Sequence, residues 1–338
     1  MTIDANRTPN RRQFLRTTAA AGLAAATAIV SAANPPAPAR RKARVAITMD
    51  LEMARNFPRW EDTHWDYTKG HLNEETKRYA LAAARRVKFH GGVIHFFLVG
   101  QALEQENVEW LQELHREGHP IGNHTYDHVN VLARRPEDLQ FRFQRAPWLL
   151  RTQDPVQAIR ENIEQCSQAM RHRLGFAPAG FRTPGGFAEG LQGRPDIQQL
   201  LLDCGFSWVS CRYPAHPYGQ PGTRADHEVL AGIVKAQSNS QPFVYPTGLI
   251  EVPMSPISDV GAFRNCRWPL EDFLRAIRAG VTWAIEQGAA FDLLTHPSVL
   301  YPNDPEFRTI DLVCDLVGQA RDGAALADCS TLATLARA

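Results

Sequence analysis

Apolar residues occur in short, nearly uncharged runs along the chain, and turn-forming or polar residues bound each run. Runs of this length and composition predict buried β-strands. Seven strands are predicted, at residues 44–49, 93–99, the segment ending at 123, 179–181, 206–210, 249–254 and 291–295. Strands without regular polar alternation are typical of a parallel sheet that is covered on both faces.

Between the strands, apolar residues three or four positions apart predict amphipathic helices. The clearest helix starts at Asp154 and Pro155, an N-cap residue followed by proline. Others are predicted after Asn73 and after Pro269. Residues 134–152 are basic and aromatic without a clear period, which indicates an insertion.

The repeated strand–helix order indicates an α/β fold, either a β/α barrel or an open doubly wound sheet. Four polar residues favour the barrel, because each stands at or just beyond the C-terminal end of a predicted strand: Asp50, His124, Arg182 and His296. In a β/α barrel these strand ends share one rim, where active sites lie. No internal repeat or linker interrupts residues 43–338, so we expect them to form a single domain.

His124 and His128 are candidate metal ligands. Their spacing would place both imidazoles on one side of a single helical turn, and neutral imidazole is a preferred ligand of zinc. Hydrolytic metal sites commonly have three protein ligands and an open position for water. The segment containing Asp50 and Glu52, at the end of the first strand, can supply the missing carboxylate.

The first 39 residues differ from the rest of the chain. Arg11 and Arg12 precede an uncharged, alanine-rich run at residues 17–30, and small residues follow that run. This order is typical of a twin-arginine export signal, and the run is too short and too weakly apolar for a membrane span. We interpret residues 1–39 as this signal. The mature protein is then expected in the periplasm or outside the cell, with no integral membrane segment.

The charge of the mature chain excludes some partners. Removing the signal takes four arginines and one aspartate from 37 basic and 36 acidic residues, which changes the net charge from +1 to −2. Without a basic surplus, nucleic acids and anionic membranes are not expected as partners. The six cysteines have no C-x-x-C spacing, which argues against a thiolate zinc site. The sequence leaves the oligomeric state open.

In their order and rough spacing, the polar motifs resemble those of the polysaccharide deacetylases, the carbohydrate esterase family 4 or NodB-homology group. The matching segments are Asp50-x-Glu52, His124-x-x-x-His128, Arg182-Thr183-Pro184 and Leu294-Thr295-His296. The resemblance covers about residues 43–300. It implies a distorted seven-stranded β/α barrel, and removal of acetyl groups from N-acetylated sugars with the help of a divalent metal, zinc foremost.

The resemblance also implies a role for each residue. The implied metal ligands are Glu52, His124 and His128, and the implied catalytic residues are Asp50 as base, His296 as acid and Arg182 as the partner of Asp50. Much of the family has two adjacent aspartates at this position, the first a base and the second a metal ligand, whereas Asp50 and Glu52 are separated by one residue.

Two positions depart from the family pattern. An aromatic residue usually follows Arg-x-Pro, whereas Gly185 and Gly186 stand here and are expected to widen the site. The family also usually has an aspartate after the fifth strand that supports the last histidine, but residues 208–212 contain no acid. Either another carboxylate serves His296, or its acid role is weak.

Three functions are consistent with these features. The first is an exported hydrolase of carbon–nitrogen bonds other than peptide bonds, which deacetylates a glycan such as peptidoglycan or a chitin-like polysaccharide. The second keeps the metal site but hydrolyses a cyclic amide or an O-acetyl ester, which the Asp-x-Glu spacing and the missing aromatic residue favour. The third is a non-catalytic, glycan-binding protein with a deacetylase-like fold.

Overall fold

Nine strands form one sheet within residues 41–337, the part of the chain that this computed structural model describes. They are β1 (Ala43–Leu51), β2 (Ile94–Leu98), β3 (Ile121–Asn123), β4 (Phe181–Phe187), β5 (Trp208–Arg212), β6 (Phe243–Val244), β7 (Ile250–Glu251), β8 (Ala290–Thr295) and β9 (Ala324–Leu326). Their order is β6-β7-β5-β4-β3-β2-β1-β8, and β9 also pairs with β1. These pairs are parallel except for β6–β7, which is antiparallel.

Helices connect most of these strands and cover the sheet. In the described residues they are α1 (Trp65–Thr68), α2 (Glu74–Phe89), α3 (Glu109–Arg116), α4 (Phe141–Arg145), α5 (Pro155–Leu174), α6 (Pro195–Asp203), α7 (His227–Gln237), α8 (Leu270–Gln287), α9 (Pro297–Asn303), α10 (Arg308–Gln319) and α11 (Cys329–Thr334). A π-helix spans Val260–Cys266. The predicted N-caps are present in α2 and α5, where Asn73 and Asp154 accept hydrogen bonds from the first turn.

The sheet curls into a half-barrel. A backbone hydrogen bond of 2.9 Å from Ser255 to Asp292 joins the segment after β7 to β8, across the gap between the two ends of the sheet. The expected α/β fold with a barrel-type, mainly parallel sheet is confirmed. The structure has two strands more than expected, β6 and β9, because runs of two and three residues are too short to stand out in a sequence.

The fourth strand begins later than predicted and extends further. Gly180 has a φ of +94°, outside the strand region, and a Cβ there would lie 1.9 Å from the ring of Trp208. Pairing with β5 starts only at Phe181 and resumes at Phe187 after an irregularity. Arg182 therefore lies inside β4 rather than beyond its end.

The segment predicted to be an insertion, residues 134–152, contains α4 and is tied to the first long loop. Arg145 forms an ion pair with Asp66, and its Nε donates a hydrogen bond of 2.5 Å to the hydroxyl of Tyr67. The guanidinium also lies 4.4 Å from the centre of the Tyr67 ring. These contacts join α4 to α1.

The central strand β1 divides its side chains between two environments. Ile47, Met49 and Leu51 are fully buried in the largest apolar cluster, together with residues of the surrounding helices. Thr48 and Asp50 alternate with them and face the interior of the curl, because successive side chains of a strand point to opposite faces. Glu52 follows directly after the strand.

Two further findings concern the described residues as a group. None of their helices combines the length and apolar character needed to cross a bilayer. All six cysteines lie in this part of the chain, and none of them forms a disulfide in it. The export signal predicted at residues 1–39 lies outside the described residues.

Glu251 joins β7 to β5 through its side chain. Its Oε1 accepts hydrogen bonds of 2.8 Å from the backbone N–H groups of Cys211 and Arg212, and its Oε2 accepts one of 2.6 Å from the hydroxyl of Tyr245. Burial raises the pKa of Glu251 from 4.5 to about 7, although these hydrogen bonds oppose the change. The carboxyl group of Glu251 thus binds a proton more tightly in the folded protein than in the unfolded chain.

Replacing Glu251 with glutamine should flatten the pH dependence of stability. The raised pKa of Glu251 adds to the free energy of unfolding. This added stability is fully present below pH 4.5 and is lost as the pH rises to about 7. Wild type should therefore lose up to about 3 kcal/mol more than E251Q over this window, as measured by urea unfolding at both ends. Equal losses in the two proteins would show that folding does not raise the pKa of Glu251.

Candidate metal centre and active site

The six residues singled out in the sequence come together at one rim of the half-barrel. Five of them line a cavity of about 650 Å³: Asp50, Glu52, His124, His128 and His296. The sixth, Arg182, is fully buried next to the cavity and contacts Asp50. Side chains that are separated by up to 246 positions in the chain therefore form a single polar site.

Glu52, His124 and His128 are arranged as a possible metal site. One ligand atom from each residue lies within 4.8 Å of the other two. Oε2 of Glu52 is 2.9 Å from Nε2 of His128 and 3.4 Å from Nε2 of His124. Asp50 lies beside this group, with its Oδ2 3.6 Å from Nε2 of His124.

The segment from His124 to His128 is not a helical turn, so that part of the sequence prediction is wrong. Thr125 and His128 both have a φ of +58°, in the left-handed region. The side chain of Asn162 in α5 accepts hydrogen bonds from the backbone N–H groups of Tyr126 and Asp127. These bonds replace helical ones and hold an irregular loop, in which the two imidazole centres are 5.0 Å apart.

The protonation of this group fits a bound cation. Nδ1 of His124 is 3.0 Å from the carbonyl oxygen of Arg182, which only accepts, so Nδ1 carries the hydrogen and Nε2 of the neutral ring has a lone pair. Burial lowers the pKa of His128 to about 4. Burial alone would raise the pKa of Glu52, but His128 and Lys69 lower it well below its usual range. At neutral pH the ring of His128 is therefore uncharged and faces an ionised carboxylate.

Oε2 of Glu52 supports the same conclusion. This atom is buried and accepts no hydrogen bond of acceptable geometry from the described residues, although two imidazole nitrogens are close. A carboxylate oxygen this close to two imidazole nitrogens can share a bound cation with them. Two imidazoles and a carboxylate are the ligand types that zinc takes in hydrolytic sites. The residues present thus fit a divalent metal.

Lys69 contributes to this site and was not predicted. It is buried, and its ammonium group forms an ion pair with Oε1 of Glu52. Burial lowers the pKa of Lys69, whereas Glu52 raises it. The two oxygen atoms of Glu52 thus have separate surroundings, the ammonium group on one side and the imidazoles on the other.

The guanidinium of Arg182 connects Asp50 to the interior of the barrel. Nη1 lies 3.1 Å from Oδ1 of Asp50, and Nη2 lies 2.5 Å from Oδ2 of Asp292 in β8. The ring of Phe97 packs against the guanidinium, with its centre 4.3 Å away. The predicted pairing of Arg182 with Asp50 is therefore present, and Asp292 is an additional partner that the sequence analysis did not identify.

His296 has a carboxylate partner, but it does not come from the segment after the fifth strand. Nδ1 of His296 is 2.9 Å from Oδ1 of Asp259, and its backbone N–H donates to Oδ2 of the same residue. Burial alone would lower the pKa of His296, but Asp259, followed by Glu52 and Asp50, raises it above the ordinary value. Of the two alternatives left open by the sequence, another carboxylate serves this histidine.

The two glycines after Arg182 differ, because a Cβ added to Gly185 would meet no atom within 4 Å, whereas Gly186 has no free space beside it. A Cβ added to Gly186 would lie 2.5 Å from Cβ of Tyr213, which follows β5 and lines the cavity. Tyr218 lines the cavity as well. The expected widening is therefore limited, because aromatic rings from another segment occupy this side of the cavity.

Three residues of the site were not predicted, and the sequence contains an indication for two of them. Asp292 is a single acid within an apolar strand, a position where an unpaired charge would be costly. Asp259 follows the sixth predicted strand by a few residues and belongs to the same rim. Lys69 lies in an aperiodic loop, where sequence spacing gives no indication of its contacts.

Sequence comparison links the middle of the chain to a known family. Residues 79–205 match the family model described as polysaccharide deacetylase. This part of the chain is therefore similar to a polysaccharide deacetylase domain. The match includes His124, His128 and Arg182, whereas the contributions of β1 and β8 to the site lie outside it. The predicted resemblance is confirmed, and so is the predicted class, a hydrolase of amide bonds.

A second match concerns the N-terminus. Residues 8–28 match the model of the twin-arginine translocation signal sequence, so the predicted export by this route is supported. No curated protein gives a significant sequence match to the chain. The deacetylase domain implies a glycan as substrate.

Solved structures share the fold of the deacetylase domain. A protein from Mycobacterium smegmatis assigned to the polysaccharide deacetylases has a TM-score of 0.58 and 18% identity, over 90% of this chain and 94% of that one. One from Pseudomonas aeruginosa PAO1 with the same assignment has a TM-score of 0.56 and 13% identity, over 86% and 89%. The allantoinase PuuE has a TM-score of 0.55 and 12% identity, over 89% and 93%. At these identities the likeness concerns the fold.

Replacing Asp259 with asparagine should lower the pKa of His296 in the metal-free deacetylase domain. Asparagine keeps the shape of the side chain but removes the negative charge that opposes the effect of burial. Titration of the imidazole by NMR should give a value above 6.5 in wild type and a clearly lower one in the variant. Identical titration curves would mean that Asp259 does not set the charge of His296.

Proposed function

We propose that the protein is an exported, metal-dependent hydrolase that removes N-acetyl groups from a polysaccharide in the periplasm or outside the cell. Peptidoglycan and chitin-like glycans are the candidate substrates. The observation that carries the proposal is the buried group of Glu52, His124 and His128 with Asp50 beside it, at the rim of the half-barrel. The deacetylase domain and the export signal support the same function.

Glu52, His124 and His128 are the residues that would hold the ion, with zinc foremost. The chemistry supplied there by a bound divalent ion would be polarisation of the amide carbonyl and a lower pKa, about 7, for a bound water. The hydrogen bond from Nδ1 of His124 to the carbonyl oxygen of Arg182 fixes the ring so that Nε2 faces the other ligands. Lys69 holds the second oxygen of Glu52 and limits rotation of the carboxylate.

Asp50 is the proposed general base. Its Oδ1 is held by the guanidinium of Arg182 at 3.1 Å, so Oδ2 is the atom that faces the imidazoles and the cavity. At this position Oδ2 can take a proton from the attacking water. Positioned acid and base groups contribute about 10² to 10⁴ in rate each. Arg182 acts through Asp50 and is therefore a positioning residue.

His296 is the proposed general acid. Asp259 holds Nδ1 and raises the pKa of the ring, which favours a protonated Nε2. Nε2 lies 3.6 Å from Glu52 and 3.8 Å from Asp50, at the end of β1. From there it can give its proton to the sugar amine as the amide bond breaks. The base and the acid thus approach the amide from different strands of the barrel, β1 and β8.

Two alternative functions would use only some of the site residues described above. The Asp-x-Glu spacing of Asp50 and Glu52 is also compatible with hydrolysis of a cyclic amide or an O-acetyl ester at the same metal site. A glycan-binding protein without activity would have no need for a buried base, three ligand atoms and an oriented acid. The deacetylase proposal uses all of these residues.

The function is tested by release of acetate from N-acetylglucosamine oligomers and from peptidoglycan fragments. The metal-loaded protein should release acetate, a chelator should stop the release, and added zinc should restore it. Metal binding without release from any glycan would contradict the proposal and favour a cyclic amide or an ester, which can be assayed in parallel. A protein that binds glycans but no metal would favour the non-catalytic alternative.

Single substitutions separate the proposed roles of ligand and base. His128→Ala should lose metal and activity together, because a ligand is removed. Asp50→Asn should keep the metal and lower turnover by about 10² or more, because only the base is removed. Metal content by mass spectrometry and acetate release provide the two measurements.

The matched control is His172→Ala, since this histidine lies exposed on α5 away from the cavity. It should leave both metal content and turnover unchanged. Loss of the metal in Asp50→Asn would reverse the proposed division of labour between Asp50 and Glu52.

A further inference from the structure

Two arginines share the cavity with the proposed catalytic residues. Arg55 follows β1 on the first long loop, and Arg264 belongs to the π-helix Val260–Cys266. Their amide neighbours Asn56 and Asn265 line the same cavity. The proposed mechanism uses neither guanidinium.

Neither arginine forms an ion pair with a carboxylate among residues 41–337. The one hydrogen bond of the Arg264 side chain in this part of the chain runs from Nε to Asn265, at 3.3 Å. Arg59, on the same loop as Arg55, differs from both, because it pairs with Asp62 at 3.0 Å. The donors of a guanidinium match the two oxygen atoms of a carboxylate, so two unpaired ones in a cavity provide a site for an anion.

The acids near these arginines each form an ion pair with another residue. Asp50 pairs with Arg182, Glu52 pairs with Lys69, and Asp259 pairs with His296. Burial lowers the pKa of Arg264, Glu52 opposes this effect, and Arg55 adds to it, so the two arginines act on each other within a cavity that they both line. A divalent ion at the ligand residues would make the cavity more positive still.

The size of the cavity suits a ligand larger than an acetamide group. Its volume of about 650 Å³ falls within the usual range of small-molecule sites. The ligand residues and the π-helix contribute to the walls of the same cavity. A sugar whose N-acetyl group reaches the ligand residues therefore has its other substituents within the part lined by the arginines.

We infer that Arg55 and Arg264 bind an acidic group of the substrate. This inference rests on the proposed function. The sugar that is deacetylated then carries a carboxylate, as N-acetylmuramic acid does, and is not a neutral N-acetylglucosamine. The Asn265 side chain, which accepts from Nε of Arg264, orients this guanidinium. The two arginines thus determine specificity and take no part in bond cleavage.

The test compares a disaccharide of N-acetylglucosamine and N-acetylmuramic acid with its methyl ester, which has the same shape but no charge. Binding is measured by calorimetry with metal-loaded protein carrying Asp50→Asn, so that the ligands stay intact. The acid should bind roughly tenfold more tightly than the ester, as expected for a charged hydrogen bond. In Arg55→Gln/Arg264→Gln the preference should disappear, while the affinity for the ester stays the same.

Arg59→Gln is the matched control, because it removes a paired arginine from the same loop, and it should keep the preference for the acid. The inference is overturned by equal affinities for acid and ester, by a preference that survives in the double variant, or by no detectable binding of either ligand. Acetate release by the wild-type protein tests the proposed function separately. A preference for the acid without any acetate release would reject the deacetylase proposal and leave the anion site in place.

Discussion

A guanidinium without access to solvent lies inside the half-barrel, and the site is arranged around it. Removing a charge from water costs several kcal/mol unless opposite charges and hydrogen bonds compensate. Arg182 meets this requirement with Asp50 from β1 and Asp292 from β8. Its backbone carbonyl accepts the hydrogen bond from His124. One residue of β4 therefore positions the proposed base through its side chain and a proposed metal ligand through its backbone.

The candidate metal ligands Glu52, His124 and His128 lie next to this buried guanidinium. Nε2 of His124 and of His128 and the carboxylates of Glu52 and Asp50 lie close together, and Lys69 pairs with Oε1 of Glu52. Asn162 and the carbonyl of Arg182 hold the loop and the His124 ring from outside this group. The site is thus preorganised for a positive ion.

The sequence predicted the parts of this arrangement that depend on strand periodicity. Apolar runs located the main strands, and the rule that parallel strand ends share a rim brought Asp50, His124 and His296 together correctly. The conformation of residues 124–128 was wrong, because side chains distant in sequence supply the hydrogen bonds that a helical turn would have made internally. Lys69 and Asp259 were missed for a related reason. Loops place both of them, and loop geometry has no period.

The segment that follows β7 combines two parts of the site. Asp259 caps the π-helix and holds His296, and the same helix carries Arg264 into the cavity. A π-helix is uncommon and is found chiefly at functional sites, because its wider turn costs stability. Hydrogen bonds hold the segment at both ends, at Asp259 and from the backbone of Trp268 to Ala262. One short, fixed segment thus carries both the carboxylate partner of the proposed acid and one of the two arginines proposed to bind the substrate.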